Sequence, residues 1–201
     1  AMVGIVDPPC TEAKDAIAKC HSAGIQVRMI TGVHAVTAAA IGHELGIEGK
    51  ALTGAQFAAI PDEQLKQQLD EIGVVARVAP EDKIRLVALL QQKQNIVAMT
   101  GDGVNDAPAL KQADIGVAMG ITGTDVAKEA ADMVLTDDNF ATIVKAIERG
   151  RWIYDNIKKY LTYLLRCNIT EVVVIGGAVL VLGPNYLPLL PAAILYINLV
   201  T

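Results

Sequence analysis

Short apolar runs alternate with amphipathic stretches through the first two thirds of this chain, and an almost unbroken apolar pattern fills the last third. The alternation predicts a strand at 3–6, a helix at 11–23 capped by Thr11, and a second strand at 25–30. A helix at 34–45 ends at Gly46, a strand follows at 74–78, and a helix at 81–92 begins after Pro80. Further strands are expected at 96–99, 115–118 and 133–135, with helical sequence between them. Apolar strands separated by helices imply an α/β fold with a parallel sheet covered on both faces. In such sheets ligands bind at the carboxyl ends of the strands.

From Phe140 the helical pattern runs without proline to Leu182, and at 1.5 Å per residue it would make a rod of roughly 64 Å, about twice a bilayer core. The expected organisation is a soluble domain over 1–139, a stalk helix over 140–159 and a transmembrane helix over 160–183. A turn at 184–188 and the start of a return span at 189–201 complete a transmembrane helical hairpin. Arg149, Arg151, Lys158, Lys159 and Arg166 lie on the near side of the first span and no charge lies on the far side, which places the soluble domain in the cytoplasm of a multi-pass membrane protein. Glu171 is 12 residues from both Lys159 and Gly183, hence about 18 Å from each end of the span. A carboxylate at that depth costs about 2.5 kcal/mol or more and points to function. Asn168 shares its helix face, and Asn198 and Thr201 repeat the spacing in the return span, giving oxygen donors for a hard cation.

Composition agrees with two environments. Of 201 residues 52% are hydrophobic, the mean hydropathy is +0.38 and the net charge is −5, which is too apolar for an ordinary soluble domain and unsuited to nucleic acid. From Val172 to the end there is no charged residue. Cys10, Cys20 and Cys167 have no metal-ligand spacing and are expected as reduced thiols, while His21, His34 and His43 are expected at the surface or satisfied on helices. The first residues form no signal peptide and start directly in strand-like sequence, as expected of a piece of something longer.

The candidate chemistry lies in the run Met99-Thr100-Gly101-Asp102-Gly103-Val104-Asn105-Asp106-Ala107-Pro108-Ala109-Leu110, an acidic loop between a strand and a helix. Two carboxylates and an amide crowd one strand end, a donor set suited to Mg²⁺, and Asp106 ahead of Pro108 is expected to cap the next helix. Thr31-Gly32 ends another strand, where a hydroxyl and a backbone N–H meet a phosphate oxygen, and Lys83 lies one turn into a helix, where an ammonium neutralises a phosphoryl group.

The acidic run closely resembles the hinge motif of the P-type cation-transporting ATPases, and the ordered set Thr31, Lys83 and Asp102 resembles the phosphate-binding half of their haloacid-dehalogenase-like, Rossmann-type domain. The resemblance implies that Thr31 and Gly32 hold phosphoryl oxygens, Lys83 balances their charge, Asp102 ligates Mg²⁺, and Asn105 and Asp106 position the site. It implies ATP as substrate, an aspartyl phosphate intermediate, and as partners the bilayer and the nucleotide-binding and actuator domains of the same pump. Asn168-Ile169-Thr170-Glu171 and Asn198-Leu199-Val200-Thr201 resemble ion-site motifs on the fifth and sixth membrane helices of sarcoplasmic-reticulum-type calcium pumps, which implies Ca²⁺ as cargo.

The sequence also departs from the family. It contains no D-K-T-G-T, the nucleophile motif, and no T-G-E-S, so this polypeptide alone is not expected to hydrolyse ATP. Val33 stands where the family has the Asp of T-G-D, and Cys10 follows Asp7-Pro8-Pro9 where an arginine is usual. A pump for H⁺, Na⁺, Mg²⁺ or Mn²⁺, a soluble phosphatase of the same fold, and a catalytically impaired pump-like protein remain as alternatives.

Overall fold

The computed structural model describes residues 11–183 and 191–200. The strand expected at 3–6, the departure at Cys10, the turn at 184–188 and Thr201 lie outside the described residues, as does the side chain of Asn198. The chain divides into two compact units, 1–145 and 146–201.

The first unit alternates strand and helix in the order α1 (Thr11–Ser22), β1 (Met29–Thr31), α2 (Ala35–Glu44), β2 (Lys50–Thr53), α3 (Gly54–Ala59), α4 (Asp62–Gln68), β3 (Ile72–Ala76) and α5 (Pro80–Gln92). It continues with β4 (Ala98–Gly101), α6 (Ala107–Gln112), β5 (Ile115–Met119), α7 (Asp125–Ala130), β6 (Met133–Leu135) and the start of α8 (Phe140–Leu182). All pairings are parallel, as the alternation predicts, but they form two three-stranded sheets, ordered β1-β3-β2 and β4-β5-β6. Among the described residues β1 and β4 are each paired along one edge only. Both nevertheless serve one core: Ile30 and Val97 pack against a cluster of Phe57, Leu65, Leu69, Val75, Leu86 and Leu89, drawn from α3, α4, β3 and α5 and the turn at 69–71.

Several strands sit a few residues from their expected places. The strand expected at 25–30 pairs only over Met29–Thr31, because the Arg28 guanidinium donates to the carbonyls of Ile72 (3.1 Å) and Leu69 (2.9 Å) below the ladder. The strand expected at 74–78 ends at Ala76, since Arg77 turns into the left-handed region at φ +53°. The strand expected at 96–99 starts at Ala98, after the Asp114 carboxylate accepts from the Val97 N–H at 2.8 Å. Elements β2, α3 and α4 were not expected from the pattern. They are four to seven residues long, and α3 is set by a local capping box in which Thr53 and Gln56 satisfy each other's backbone N–H groups.

In the second unit α8 continues to Leu182, so its 43 residues match the expected helix at both ends. It is long and apolar enough to cross a membrane, and Val172, Val173, Leu180 and Val181 are exposed along it. The ten-residue α9 (Pro191–Val200) is entirely uncharged. Cys20 is buried and Cys167 half-buried, neither in a disulfide, while His34 caps α2 by accepting from the Val36 N–H.

The passage from β6 into α8 is held by carboxylates. Asp137 accepts from the Thr142 hydroxyl at 2.6 Å, and Asn139 accepts from the Ala141 N–H at 2.9 Å and donates to Glu12. Asp138, left-handed at φ +48°, accepts from the N–H groups of Gly120 (2.6 Å), Ile121 (3.0 Å) and Thr122 (2.7 Å) and from the Thr122 hydroxyl (2.8 Å). Desolvation pushes its pKa up, but the donors at Ile121, Thr122 and Gly120 outweigh that and hold the carboxyl at about 2, below its usual 3.8. The unfolded carboxyl binds its proton at higher pH than the folded one, so the stabilisation is complete above the usual value and lost as pH falls towards 2. Urea midpoints measured between pH 5 and pH 2 should therefore fall more steeply for the wild type than for Asp138→Asn in the lower part of that range. Parallel curves would show that the carboxylate contributes no such linkage.

Candidate active site

The acidic loop is organised by Asp106. Residues Val104–Asp106 form a 3₁₀ turn between β4 and α6, and Asp106 is buried. Its carboxylate does not cap α6 as the sequence suggested. It folds back, accepting at Oδ2 from the N–H groups of Gly103 (3.1 Å) and Asp102 (3.3 Å). Gly101 makes that approach possible, since a Cβ there would lie 2.5 Å from the Asp106 Cβ. At Oδ1 the same carboxylate accepts from Lys83 Nζ at 2.5 Å, in a pair whose side chains are 18% and 9% exposed.

Lys83 reaches this point because α5 begins where β3 ends. Pro80 occupies the first turn and Asp82 accepts from the Ala79 N–H at 3.0 Å, fixing the helix start at the carboxyl edge of β3. The ion pair therefore joins the carboxyl edges of the two sheets. Thr31 ends β1 on that edge, with its carbonyl accepting from the Val78 N–H at 3.4 Å and its hydroxyl from the Val33 N–H at 3.1 Å. Beside Gly32 a Cβ would meet nothing within 4 Å, so the backbone there is open to a ligand. Val33 places an exposed apolar side chain next to it. The structure thus brings Lys83, Asp106 and the Asp102 backbone into contact and sets Thr31 and Gly32 at the end of the neighbouring sheet; Asn105 is exposed on the 3₁₀ turn.

The donor set bears directly on Mg²⁺. Asp106 is already engaged by an ammonium and two amides, whereas the Asp102 carboxylate is exposed and, among the described residues, no donor holds it. No cluster of three or more His, Cys, Asp or Glu side chains able to hold a metal occurs among the described residues. A single free carboxylate beside open backbone fits a cation that keeps its waters and completes its shell with substrate phosphate.

Two further residues support the loop and were missed from sequence. The Thr124 N–H donates to the Asp102 carbonyl at 2.8 Å while its hydroxyl caps α7, accepting from the Ala127 N–H at 3.3 Å. Asp138 holds the turn that precedes Thr124. A cap signature at Thr124-Asp125 was readable, but its contact with Asp102 was not.

Comparison with known proteins fits this geometry. A family model described as haloacid dehalogenase-like hydrolase matches residues 1–114, and a second of the same description matches 83–147. The chain is 55% identical over 203 residues to Calcium-transporting ATPase 1 of Bacillus cereus, covering 100% of this chain and 23% of that protein. It is 54% identical over 202 residues to the Probable cation-transporting ATPase F of Mycobacterium tuberculosis, covering 97% of this chain and 22% of the relative. A zinc-transporting PIB-type ATPase solved in its E2.Pi state superposes with a TM-score of 0.66 at 35% identity, over 85% of this chain and 24% of that one. The chain therefore spans less than a quarter of each of these relatives. It belongs to the haloacid dehalogenase-like hydrolases, and along nearly its whole length it is similar to a segment of P-type cation-transporting ATPases.

Proposed function

We propose that this chain is the part of an ATP-driven cation pump that holds the transferred phosphoryl group and carries one wall of the ion path. The observation that carries this reading is the division of labour between two carboxylates of one loop: Asp106 is consumed by Lys83 and backbone amides, and Asp102 is left free at the carboxyl edge. A fixed, charge-compensated carboxylate beside a free one suits phosphoryl transfer, where positioning and electrostatics supply most of the catalysis.

In this reading Thr31 and Gly32 bind phosphoryl oxygens, Lys83 adds positive charge beside them, and Asn105 and Asp106 fix the loop. Asp102 would hold Mg²⁺, which supplies charge neutralisation to the transferring group. The nucleophile, the adenine site and the actuator belong to other segments of the same pump, and the edges of β1 and β4 that pair with no strand among the described residues leave a place for a further strand. The chain is divided as 1–139 phosphorylation domain, 140–159 stalk, 160–183 transmembrane helix, 184–188 exterior turn and 189–201 the next span. Glu171 and Asn168 in α8, with Asn198 and Thr201, contribute oxygen ligands to the cargo. Ca²⁺ is favoured as that cargo by the names of relatives such as the Endoplasmic reticulum calcium ATPase srcA of Aspergillus fumigatus, 49% identical over 207 residues.

A second reading, a pump-like protein of impaired turnover, is favoured by Val33, which puts an apolar group beside the phosphate edge. Restoring Val33→Asp separates the two, raising turnover only if the valine is a lesion.

In the complete pump Asp102→Asn is expected to abolish phosphoenzyme formation from labelled ATP, and near-normal labelling would remove Asp102 from its role. Lys83→Ala should slow the same step and also destabilise the fold by about 3–5 kcal/mol, because it strands a buried carboxylate without its cation; an unchanged denaturation midpoint would contradict the pairing. Glu171→Gln keeps shape and one acceptor but loses the charge that compensates a dication. Ca²⁺-activated phosphorylation should then be lost, while phosphorylation by inorganic phosphate survives and resists Ca²⁺. Wild-type Ca²⁺ activation in that variant would favour another cargo.

A further inference from the structure

The Asp102 loop is tied to a second structure besides Lys83. The Asp102 carbonyl accepts from the Thr124 N–H at 2.8 Å, and Thr124 is the last residue of the turn at 120–124. That turn has little slack. A Cβ at Gly123 would lie 2.0 Å from the Met119 carbonyl and one at Gly120 would lie 2.3 Å from the Leu135 carbonyl, so the backbone is pressed against β5 and the end of β6. The Gly120 N–H donates to the Leu135 carbonyl at 2.8 Å, and several of the turn's donors converge on one side chain. Asp138 takes the N–H groups of Gly120, Ile121 and Thr122 and the Thr122 hydroxyl, four donors on two oxygens at 2.6 to 3.0 Å.

Asp138 lies two residues before the first residue of α8, and its neighbours bind the helix start itself. Asp137 accepts from the Thr142 hydroxyl, and Asn139 accepts from the Ala141 N–H. The left-handed backbone of Asp138 aims its carboxylate away from the helix and into the turn, a conformation that Asp and Asn tolerate better than other side chains. A chain of short contacts therefore runs from the first turn of α8 through Asp138 to residues 120–122, along the tight turn to Thr124, and into the Asp102 carbonyl.

We propose that Asp138 is a positioning residue that fixes the Asp102 loop to the first turn of α8, so that the free carboxylate is aimed by the start of the long helix as well as by Lys83. This rests on the reading of Asp102 as the Mg²⁺-holding group, but the mechanical link is separable from it. Charge-assisted hydrogen bonds to backbone amides are among the stronger neutral-to-ion contacts, and four on one carboxylate hold a turn that has no side-chain packing of its own to fix it.

The test uses the full-length pump in detergent. Asp138→Asn keeps a residue that accepts the left-handed backbone but presents an NH₂ group to at least one donor. It is expected to raise amide exchange both in 118–124 and in 101–106 by roughly tenfold, the scale of one lost hydrogen bond to a charged group. It should also raise, by a similar factor, the Mg²⁺ concentration that half-saturates phosphorylation by inorganic phosphate. Faster exchange confined to 118–124, with 101–106 and the Mg²⁺ dependence unchanged, would overturn the link. Thr122→Val removes one of the four bonds with little change of shape, and should loosen the same two segments to a smaller degree. If Asp138→Asn does not fold, that variant decides the matter by whether 101–106 responds. Should the wild type take up no phosphate at all, the pump reading fails while the exchange comparison still judges the tie.

Discussion

The site depends on one buried ion pair. Lys83 and Asp106 stand 2.5 Å apart with little exposure, and each is tied to a different sheet. A buried pair of this kind is weak evidence for net stability, since desolvation offsets much of the attraction, but breaking it leaves an uncompensated charge in a poorly hydrated place. What the pair secures is geometry. By occupying Asp106 it fixes the backbone of Asp102 and Gly103, so of the two acidic residues in the loop one is engaged and the other is exposed.

That arrangement also joins the carboxyl edges of two separate parallel sheets. Their strands share no ladder among the described residues, yet Ile30 of β1 and Val97 before β4 pack against one apolar cluster to which α5 contributes, and α5 delivers Lys83 to Asp106. The apolar cluster around Phe57, Leu65 and Leu89 sets the position of the helix, and the ion pair sets its orientation at the edge. Packing and electrostatics divide the work: burial holds the elements, and a few directional contacts place the polar atoms.

How much of this was readable from the chain follows the reach of each interaction. The acidic loop was legible because its glycines, carboxylates and proline lie within a dozen consecutive residues, and α8 was legible to both of its ends because no proline interrupts 43 residues. Elements β2, α3 and α4 were not, because they are too short to display a period and are set by caps and by contacts with β3 and α5. Strand ends slipped where a side chain or a left-handed residue intervened, as at Arg28 and Arg77. The roles of Asp106 and Asp138 were hidden for the same reason, since their partners stand 23 and 16 to 18 residues away in sequence. Asp106 before Pro108 has the look of a helix cap, and only the fold shows that its carboxylate turns back.

Acidic residues recur just after β4 and β6, at Asp102, Asp106, Asp137 and Asp138. The ladders of both strands end before these loops, so no neighbouring strand satisfies the loop amides among the described residues. Water would satisfy them equally well but would leave the loops free to move. A carboxylate satisfies several amides at once and fixes them relative to one another, and it does so without bringing apolar bulk to the edge. Asp106 serves this purpose for residues 102 and 103, and Asp138 for residues 120–122. The acidity of the edge would repel phosphate if all of it were exposed. Lys83 pairs with Asp106 and backbone donors surround Asp138, which leaves the Asp102 carboxylate exposed; in the role proposed for it, a carboxylate approaching a phosphoryl group requires a cation between them.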